Sequence, residues 1–361
     1  MAALWLCDEV FTKVYEVVIQ IIKQQHFMSI ITSAEIRLAS RPSGMPTAAN
    51  FTRTQIELPP LPDQQVLVRN LFMSVDPYMR GRMNEGKSYV PPFEIGKALE
   101  GGAVGEVVES RVKEFKPGDA VTSKFGWREY FMASPNELHP VSREVPSLSV
   151  YLGTLGMTGM TAWVGLNLVD VKVGDVIYIS GAAGAVGNMA GQLAKLRGCK
   201  VIGSAGSADK VKFLREECGF DIAFNYKAGP VREQLSLEVP DGIDVYFDNV
   251  GGETLEAALS ALRVNGRIIA CGGIASYNEA KPQSGPANLF NITTKRLTMK
   301  GMIVGDWLHC QAEFEKEVGG YFRNDKLKNN ETVVEGMDQA VSAFLGLFEG
   351  KNRGKMVVKL S

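Results

Sequence analysis

Metal-binding and disulfide chemistry have little to work with in this chain. Its five cysteines (Cys7, Cys199, Cys218, Cys271 and Cys310) are scattered, odd in number and never spaced C-x-x-C. That pattern argues against a disulfide framework and leads us to expect a cytoplasmic protein. The three histidines, His26, His139 and His309, are equally dispersed, and no spacing suits a metal. An excess of one charge is also missing: 39 Lys and Arg face 40 Asp and Glu, a net charge of -1. Nothing global therefore draws the chain to nucleic acid or to an anionic membrane. Internal repeats and low-complexity segments are absent as well.

The first 27 residues lack a basic start and a small-residue cleavage site, which argues against a secretory leader. Charges and Gln interrupt each apolar run there, so none is long enough to span a bilayer. Val10, Phe11, Val14, Val17, Val18, Ile21 and Ile22 recur at helical spacing between Glu9, Lys13, Glu16 and Lys23. We expect a short amphipathic helix with no part in catalysis, an extension upstream of a natural start at Met28, with an interaction helix as the alternative.

What is plentiful is glycine, 38 residues in 361, on a chain long enough for about two domains. Up to about residue 155 the chain reads as β-rich. Strands are expected at 65–71, 103–108 and 120–123, the last one after the turn Lys116-Pro117-Gly118-Asp119. A helix is expected over 152–168. A second such turn, Lys172-Val173-Gly174-Asp175, leads into strand 176–180. From there strands and helices alternate: helix 186–196, strand 200–203, helix 208–217, strand 222–225, helix 231–238, strand 245–247, helix 254–262, strand 267–271. Alternation of this kind predicts an α/β, doubly wound parallel sheet of Rossmann type. A helix at 338–349 and a last strand at 355–360 are expected to return to the first domain.

Strand 176–180 runs into Gly181-Ala182-Ala183-Gly184-Ala185-Val186-Gly187, where a helix starts. A glycine turn between a buried strand and a helix N-terminus lets phosphates approach the backbone, and the helix dipole then meets their charge. An NAD-binding site usually carries Asp or Glu at the end of the next strand, to hold the ribose 2′-hydroxyl. Here that strand ends Gly203-Ser204-Ala205-Gly206, with Lys210 on the following turn. The missing acid favours NADP(H). A glycine-rich packing turn without ligand is the alternative.

Several stretches resemble a known family: residues 74–80 (SVDPYMR), 155–162 (LGMTGMTA), 180–187 (SGAAGAVG), 247–252 (FDNVGG), 271–278 (CGGIASYN) and 350–355 (GKNRGK). They look like the zinc-free leukotriene B4 dehydrogenase/prostaglandin reductase branch of the medium-chain dehydrogenases/reductases. The runs Arg80-Gly81-Arg82-Met83 and Glu349-Gly350-Lys351-Asn352 are most similar to the bacterial curcumin-reductase type. The resemblance implies a GroES-like β-rich catalytic domain (28–155 and 315–361) and a Rossmann domain (156–314), with the active site between them. It implies NADPH, a homodimer, and reduction of α,β-unsaturated ketones and aldehydes.

Carried over by position, the resemblance puts Gly184, Ala185, Val186 and Gly187 at the pyrophosphate, and Lys210 and Tyr226 around the 2′-phosphate. Asn249 is put near the ribose and nicotinamide. Cys271, Gly272, Gly273 and Tyr277 form a wall of the cleft, Met302, Ile303 and Val304 stand beside it, and Asn352 reaches in from the tail. Zinc-dependent relatives carry a Cys just before the position of Asp76 and a His–Glu pair later. Here those places read Met73-Ser74-Val75 and Leu99-Glu100, so no metal is expected. Some members have a tyrosine shortly before the segment 297–301; this chain has Thr293, Thr294 and Lys295 there.

Reduction of an enone builds negative charge on its carbonyl oxygen, so donors must face that oxygen and a proton must reach the α-carbon. Tyr78 and Tyr277 are the candidates, against the simpler reading of packed rings. Arg80 and Arg82 could attract an acidic substrate tail or form surface ion pairs. Three other functions stay open: a quinone reductase, oxidation of a lipid hydroxyl, and a non-enzymatic NADPH-binding protein.

Overall fold

The computed structural model describes residues 31–281 and 284–360. The helix expected within residues 1–27 lies outside them.

The two Lys-x-Gly-Asp turns form in the same way. In each, the Asp side chain accepts the backbone N–H of the Lys three residues earlier (Lys116 to Asp119 Oδ2, 2.9 Å; Lys172 to Asp175 Oδ2, 2.7 Å). The intervening glycines take positive φ, +93° at Gly118 and +86° at Gly174, where a side chain would be strained. Each turn launches a strand. Strands β1 (Thr32–Leu38) and β2 (Phe51–Glu57) pair antiparallel. They flank a seven-stranded sheet made of β3 (Val66–Ser74), β4 (Ala103–Ser110), β5 (Ala120–Ser123), β6 (Tyr130–Ala133), β7 (His139–Pro140) and two strands from the end of the chain. Between β3 and β4 lies α1 (Met79–Arg82), one short turn. Met73, Val75, Met79, Trp127, Phe344 and Met356 fill the core of this lobe.

The second lobe is a six-stranded parallel sheet. Its elements are α2 (Met157–Leu168), β8 (Val176–Ile179), α3 (Ala185–Leu196), β9 (Lys200–Ala205), α4 (Ala208–Glu216), β10 (Ile222–Asn225), α5 (Val231–Glu238), β11 (Ile243–Asp248), α6 (Gly252–Ala261), β12 (Leu262–Ala270), α7 (Asn291–Thr294) and β13 (Thr298–Gly301). The strand order β10-β9-β8-β11-β12-β13 reverses direction between β8 and β11. That is the switch point at which open α/β sheets bind ligands. One core packs α2, α3 and α4 on one face of the sheet, and another packs α5 and α6 on the opposite face. The doubly wound reading therefore holds.

Among the elements missing from the sequence reading are β13, α8 (Gln311–Arg323) and β14 (Glu331–Glu335). Phe314, Val318 and Leu327 are buried in the core shared with α2 and α3. The expected 314/315 boundary therefore falls inside a helix that packs on the parallel-sheet lobe. The helix expected over 152–168 is also broken: a 3-10 turn covers Leu148–Leu152 and α2 begins at Met157. A Cβ at Gly156 would lie 2.0 Å from Tyr151 O, and one at Gly159 would lie 2.0 Å from Thr154 O. These glycines allow a tight entry into the helix rather than an extra turn of it. The tail does return: after α9 (Ala340–Phe348), β15 (Lys355–Lys359) pairs parallel with β14 and antiparallel with β3.

Candidate active site

Gly181 leaves β8 at φ +57°, and Gly184 caps α3. A Cβ at Gly187 would come within 2.5 Å of Gly181 O and 2.8 Å of Ala182 Cα. Only glycine lets the helix start this close under the turn, leaving its first N–H groups facing outward. The tail of the other lobe closes on this turn, with Gly354 N donating to Ala183 O at 2.8 Å. Between them lies a cleft of about 640 Å³, lined by Gly184, Ala185, Ser207, Lys210, Tyr226 and Asn352 among others. Val186 instead packs against the core below.

At one end of the cleft, β9 stops at Ala205 without an acid. Lys210 sits on the first turn of α4, which Ser207 caps through its Oγ. Burial pulls the Lys210 ammonium below its ordinary pKa, and the nearby cations Lys227 and Arg353 pull it the same way. Three cations thus share one corner. Tyr226 is exposed beside them, its ring over Gly206, where a Cβ would lie 2.9 Å from the phenol oxygen. Lys227, Arg353 and Ser207 were missed in the sequence because they come from three separate loops.

A second glycine turn faces the first across the switch point. The carboxylate of Asp248 accepts from Val250 N (3.0 Å), Gly251 N (2.8 Å) and Tyr246 Oη (2.7 Å). Asn249 spends its Nδ2 on Ser180 O at 2.8 Å, and Asn352 spends its own on Gly354 O at 2.8 Å. Both amides therefore hold the shape of the turns that border the cleft. Ile274, Ala275 and Asn278 line the cleft itself. Cys271, Gly272, Met302 and Ile303 line a separate, shallower groove with Trp307 and His309. Val304 packs on the core. Of the wall expected over 271–277 and 302–304, Ile274 and Ala275 line the cleft, Cys271, Gly272, Met302 and Ile303 line the second groove, and Gly273 and Tyr277 line neither. Burial pushes the Cys271 thiol up to about 12, so it stays protonated.

The other end of the cleft opens on residues 75–77. Here Lys355, missed in the sequence, is buried and donates to Asp76 Oδ1 (2.9 Å), Val75 O (2.9 Å) and Met356 O (3.0 Å). Ser74 Oγ donates to the other oxygen of Asp76. This buried pair fixes the Asp-Pro turn that presents Tyr78. The Tyr78 ring packs against the lobe core, and its hydroxyl bonds to no other described residue. Burial, followed by the charge of Asp76, holds its phenol above the ordinary value. Tyr277 accepts only a long bond from Gly273 N, 3.4 Å, and burial raises its phenol too. Tyr89, on a polar loop and 62% exposed, lies within electrostatic reach of Tyr277, Arg82 and Cys271. Arg82 pairs with Glu100 at 2.7 Å over the ring of Phe93, and is buried rather than superficial.

Residues 34–141 match the family described as the N-terminal domain of oxidoreductase, and residues 185–319 match the zinc-binding dehydrogenase family. The NADPH-dependent curcumin reductase of Escherichia coli is 38% identical, covering 90% of this chain and 96% of its own length. The NADP(+)-dependent 2-alkenal reductase of Nicotiana tabacum is 40% identical, covering 92% and 98%. The crystal structure of CurA from Vibrio vulnificus in complex with NADPH superposes with a TM-score of 0.86 at 40% identity, covering 91% and 99%. The chain belongs to the leukotriene B4 dehydrogenase/prostaglandin reductase branch of the medium-chain dehydrogenase/reductase superfamily.

Lys295, in the segment where some family members carry a tyrosine, donates to Leu259 O (3.2 Å), Ser260 O (2.6 Å) and Leu262 O (2.7 Å). It caps the end of α6 instead of reaching the cleft. Where zinc-dependent members hold metal, no group of three His, Cys, Asp or Glu side chains comes together among the described residues.

Proposed function

We propose that this protein reduces the carbon–carbon double bond of α,β-unsaturated ketones and aldehydes with NADPH. The observation that carries this reading is a phosphate cradle without a ribose-reading acid, joined through one cleft to residues 75–77, the turn just before Tyr78, whose phenol bonds to no other described residue. The cradle fits a 2′-phosphorylated dinucleotide: Gly187 tolerates no Cβ, and the cations Lys210, Lys227 and Arg353 share the far corner. In our reading, the N–H groups at Gly184, Ala185, Val186 and Gly187 hold the pyrophosphate, and Lys210, Tyr226, Lys227 and Arg353 hold the 2′-phosphate. Asn249 and Asn352 keep the turns in place, and residues 271–277 form the nicotinamide-side wall. When bound, NADPH supplies the hydride.

Tyr78 and Tyr277 would then donate to the substrate carbonyl oxygen as it becomes an enolate. Both phenols stay protonated at neutral pH, as a donor must. The enolate next takes a proton at its α-carbon, relayed through a phenol from solvent. We also infer a homodimer working in the cytoplasm. All four residues of β13, Met299 among them, are exposed at an edge of the parallel sheet that no other described strand pairs, beside exposed Ile303 and Leu308. An unpaired edge of this kind invites pairing with a second copy. The described cysteines are all free thiols.

The test is NADPH consumption measured side by side with an enone, an enal and a quinone. Turnover of the enone to its saturated ketone is the expected result. Turnover of the quinone alone would make the protein a quinone reductase. Binding of NADPH without oxidation by any of the three would leave a non-enzymatic binding protein. Light scattering at micromolar concentration checks the dimer, and a monomer would refute it.

A further inference from the structure

Arg80 is only 3% exposed, yet among the described residues no carboxylate lies within 4.0 Å of its guanidinium. Its three nitrogens each bond a neutral acceptor. Nε donates to Asn278 Oδ1 (3.2 Å), Nη1 to Asn84 Oδ1 (2.6 Å) and Nη2 to Gly44 O (2.9 Å). Asn278 in turn donates through Nδ2 to Met45 Sδ at 3.1 Å. Gly44, Met45 and Asn84 belong to loops of the β-rich lobe. Asn278 follows Tyr277 in the parallel-sheet lobe and lines the cleft.

A buried charge is tolerated only when fixed dipoles or a counter-charge replace its water. A surface cation that merely improved solubility would not be placed here. A cation that served the core of its own lobe would pair with an acid of that lobe, as Lys355 does with Asp76. Arg80 instead spends its hydrogen bonds on three segments, one of them across the cleft. Charge-assisted bonds are stronger than neutral ones, and the planar fork sets the angles between the three acceptors. Of these acceptors, Asn278 has one other side-chain partner, also on the β-rich lobe. The side chain of residue 278 is therefore anchored to the opposite lobe, while the backbone before it is held by its own lobe through Ile274 N to Asn249 O and Ala275 N to Val250 O.

We infer that Arg80 is a positioning residue, a clasp between the two lobes that holds residues 271–278, and with them Tyr277, against the cleft. It rests on the reading of Tyr277 as a substrate-facing donor. Arg80 touches neither substrate nor cofactor in this scheme and acts through Asn278.

The experiment uses the full chain, with the variants Arg80→Gln, Asn278→Ala and the pair combined, each alone and in a Tyr277→Phe background. Hydrogen exchange with NADPH bound is followed over residues 271–278. Each single variant is expected to speed that exchange and to lower kcat/KM for an enone by about tenfold, the size of one lost charge-assisted bond. The combined variant is expected to be no worse than either single one. In the Tyr277→Phe background Arg80→Gln should add little. Unchanged exchange over 271–278 would overturn the clasp. So would independent, multiplying effects of the two substitutions, or an undiminished Arg80→Gln effect without the Tyr277 hydroxyl. If Arg80→Gln does not fold, Asn278→Ala carries the same two readouts. A wild-type protein that oxidises no NADPH with any enone would sink the enone-reductase reading, while the exchange data would still decide the clasp.

Discussion

Tyr78→Phe is the sharpest test of the proposed chemistry. The substitution keeps the ring packed against the β-rich lobe core and deletes a hydroxyl that bonds to no other described residue. Stability should therefore change by no more than about 0.5 kcal/mol, the range of a substitution that removes no internal contact. Turnover is another matter. Loss of one preorganised donor to a developing oxyanion costs about 2.7–4 kcal/mol, or about a hundred- to a thousandfold in kcat. Tyr277 offers a second donor nearby. The lower end, about a hundredfold, is the expected loss.

NADPH oxidation at saturating enone reads kcat, and fluorescence titration reads NADPH affinity, which should hold because the pyrophosphate and 2′-phosphate corners lie at the glycine turns. The pH profile adds a check. Burial and the charge of Asp76 raise the phenol above its usual value. The donor therefore stays protonated as pH rises to about 10, where an ordinary tyrosine ionises. The wild type should show no alkaline loss from Tyr78 below that point. Full turnover by Tyr78→Phe on a good enone would refute the donor role and leave Tyr78 as a packed ring.

Other expectations follow from the same geometry. Lys210→Glu should raise the KM for NADPH far more than that for NADH, since it puts a like charge beside a 2′-phosphate; steady-state kinetics with both cofactors decide it, and equal effects would clear Lys210 of that role. Lys355→Met leaves Asp76 buried and unpaired, so urea unfolding should show a loss of about 3–5 kcal/mol; a neutral result would mean water reaches that carboxylate. Cys271, held up to about 12, should resist iodoacetamide at pH 8, and rapid labelling mapped to that residue would contradict its burial. Turnover should survive prolonged dialysis against EDTA; stoichiometric zinc whose removal abolishes activity would require a metal site not foreseen here.

The parallel-sheet lobe was readable strand by strand from β8 to β12 because its local rules agree. Apolar runs alternate with amphipathic ones, and Lys-x-Gly-Asp and glycine turns mark where each begins. β13 was not readable. It is a four-residue edge strand with all side chains exposed, so its sequence carries no burial pattern to detect. The helix Gln311–Arg323 escaped because its apolar face is sparse, with Phe314 and Val318 buried among charges. The break at 153–156 depended on backbone crowding around two glycines, which composition does not reveal.

The site divides in the same way. The glycine turn from Gly181 to Gly187 and the lack of an acid after β9 each lie in one short stretch of sequence, so local chemistry alone made them legible. Tertiary structure decided everything that needed two distant segments. It brought Lys227 and Arg353 to Lys210, put Lys355 under Asp76 across 279 residues of chain, and turned Lys295 away to cap a helix. It also gave Arg80 its meaning. In the sequence Arg80 and Arg82 look alike, two arginines separated by a glycine. Folding gave one a carboxylate and gave the other an asparagine of the opposite lobe, because a side chain's partners are set by where the chain returns and not by its neighbours in sequence.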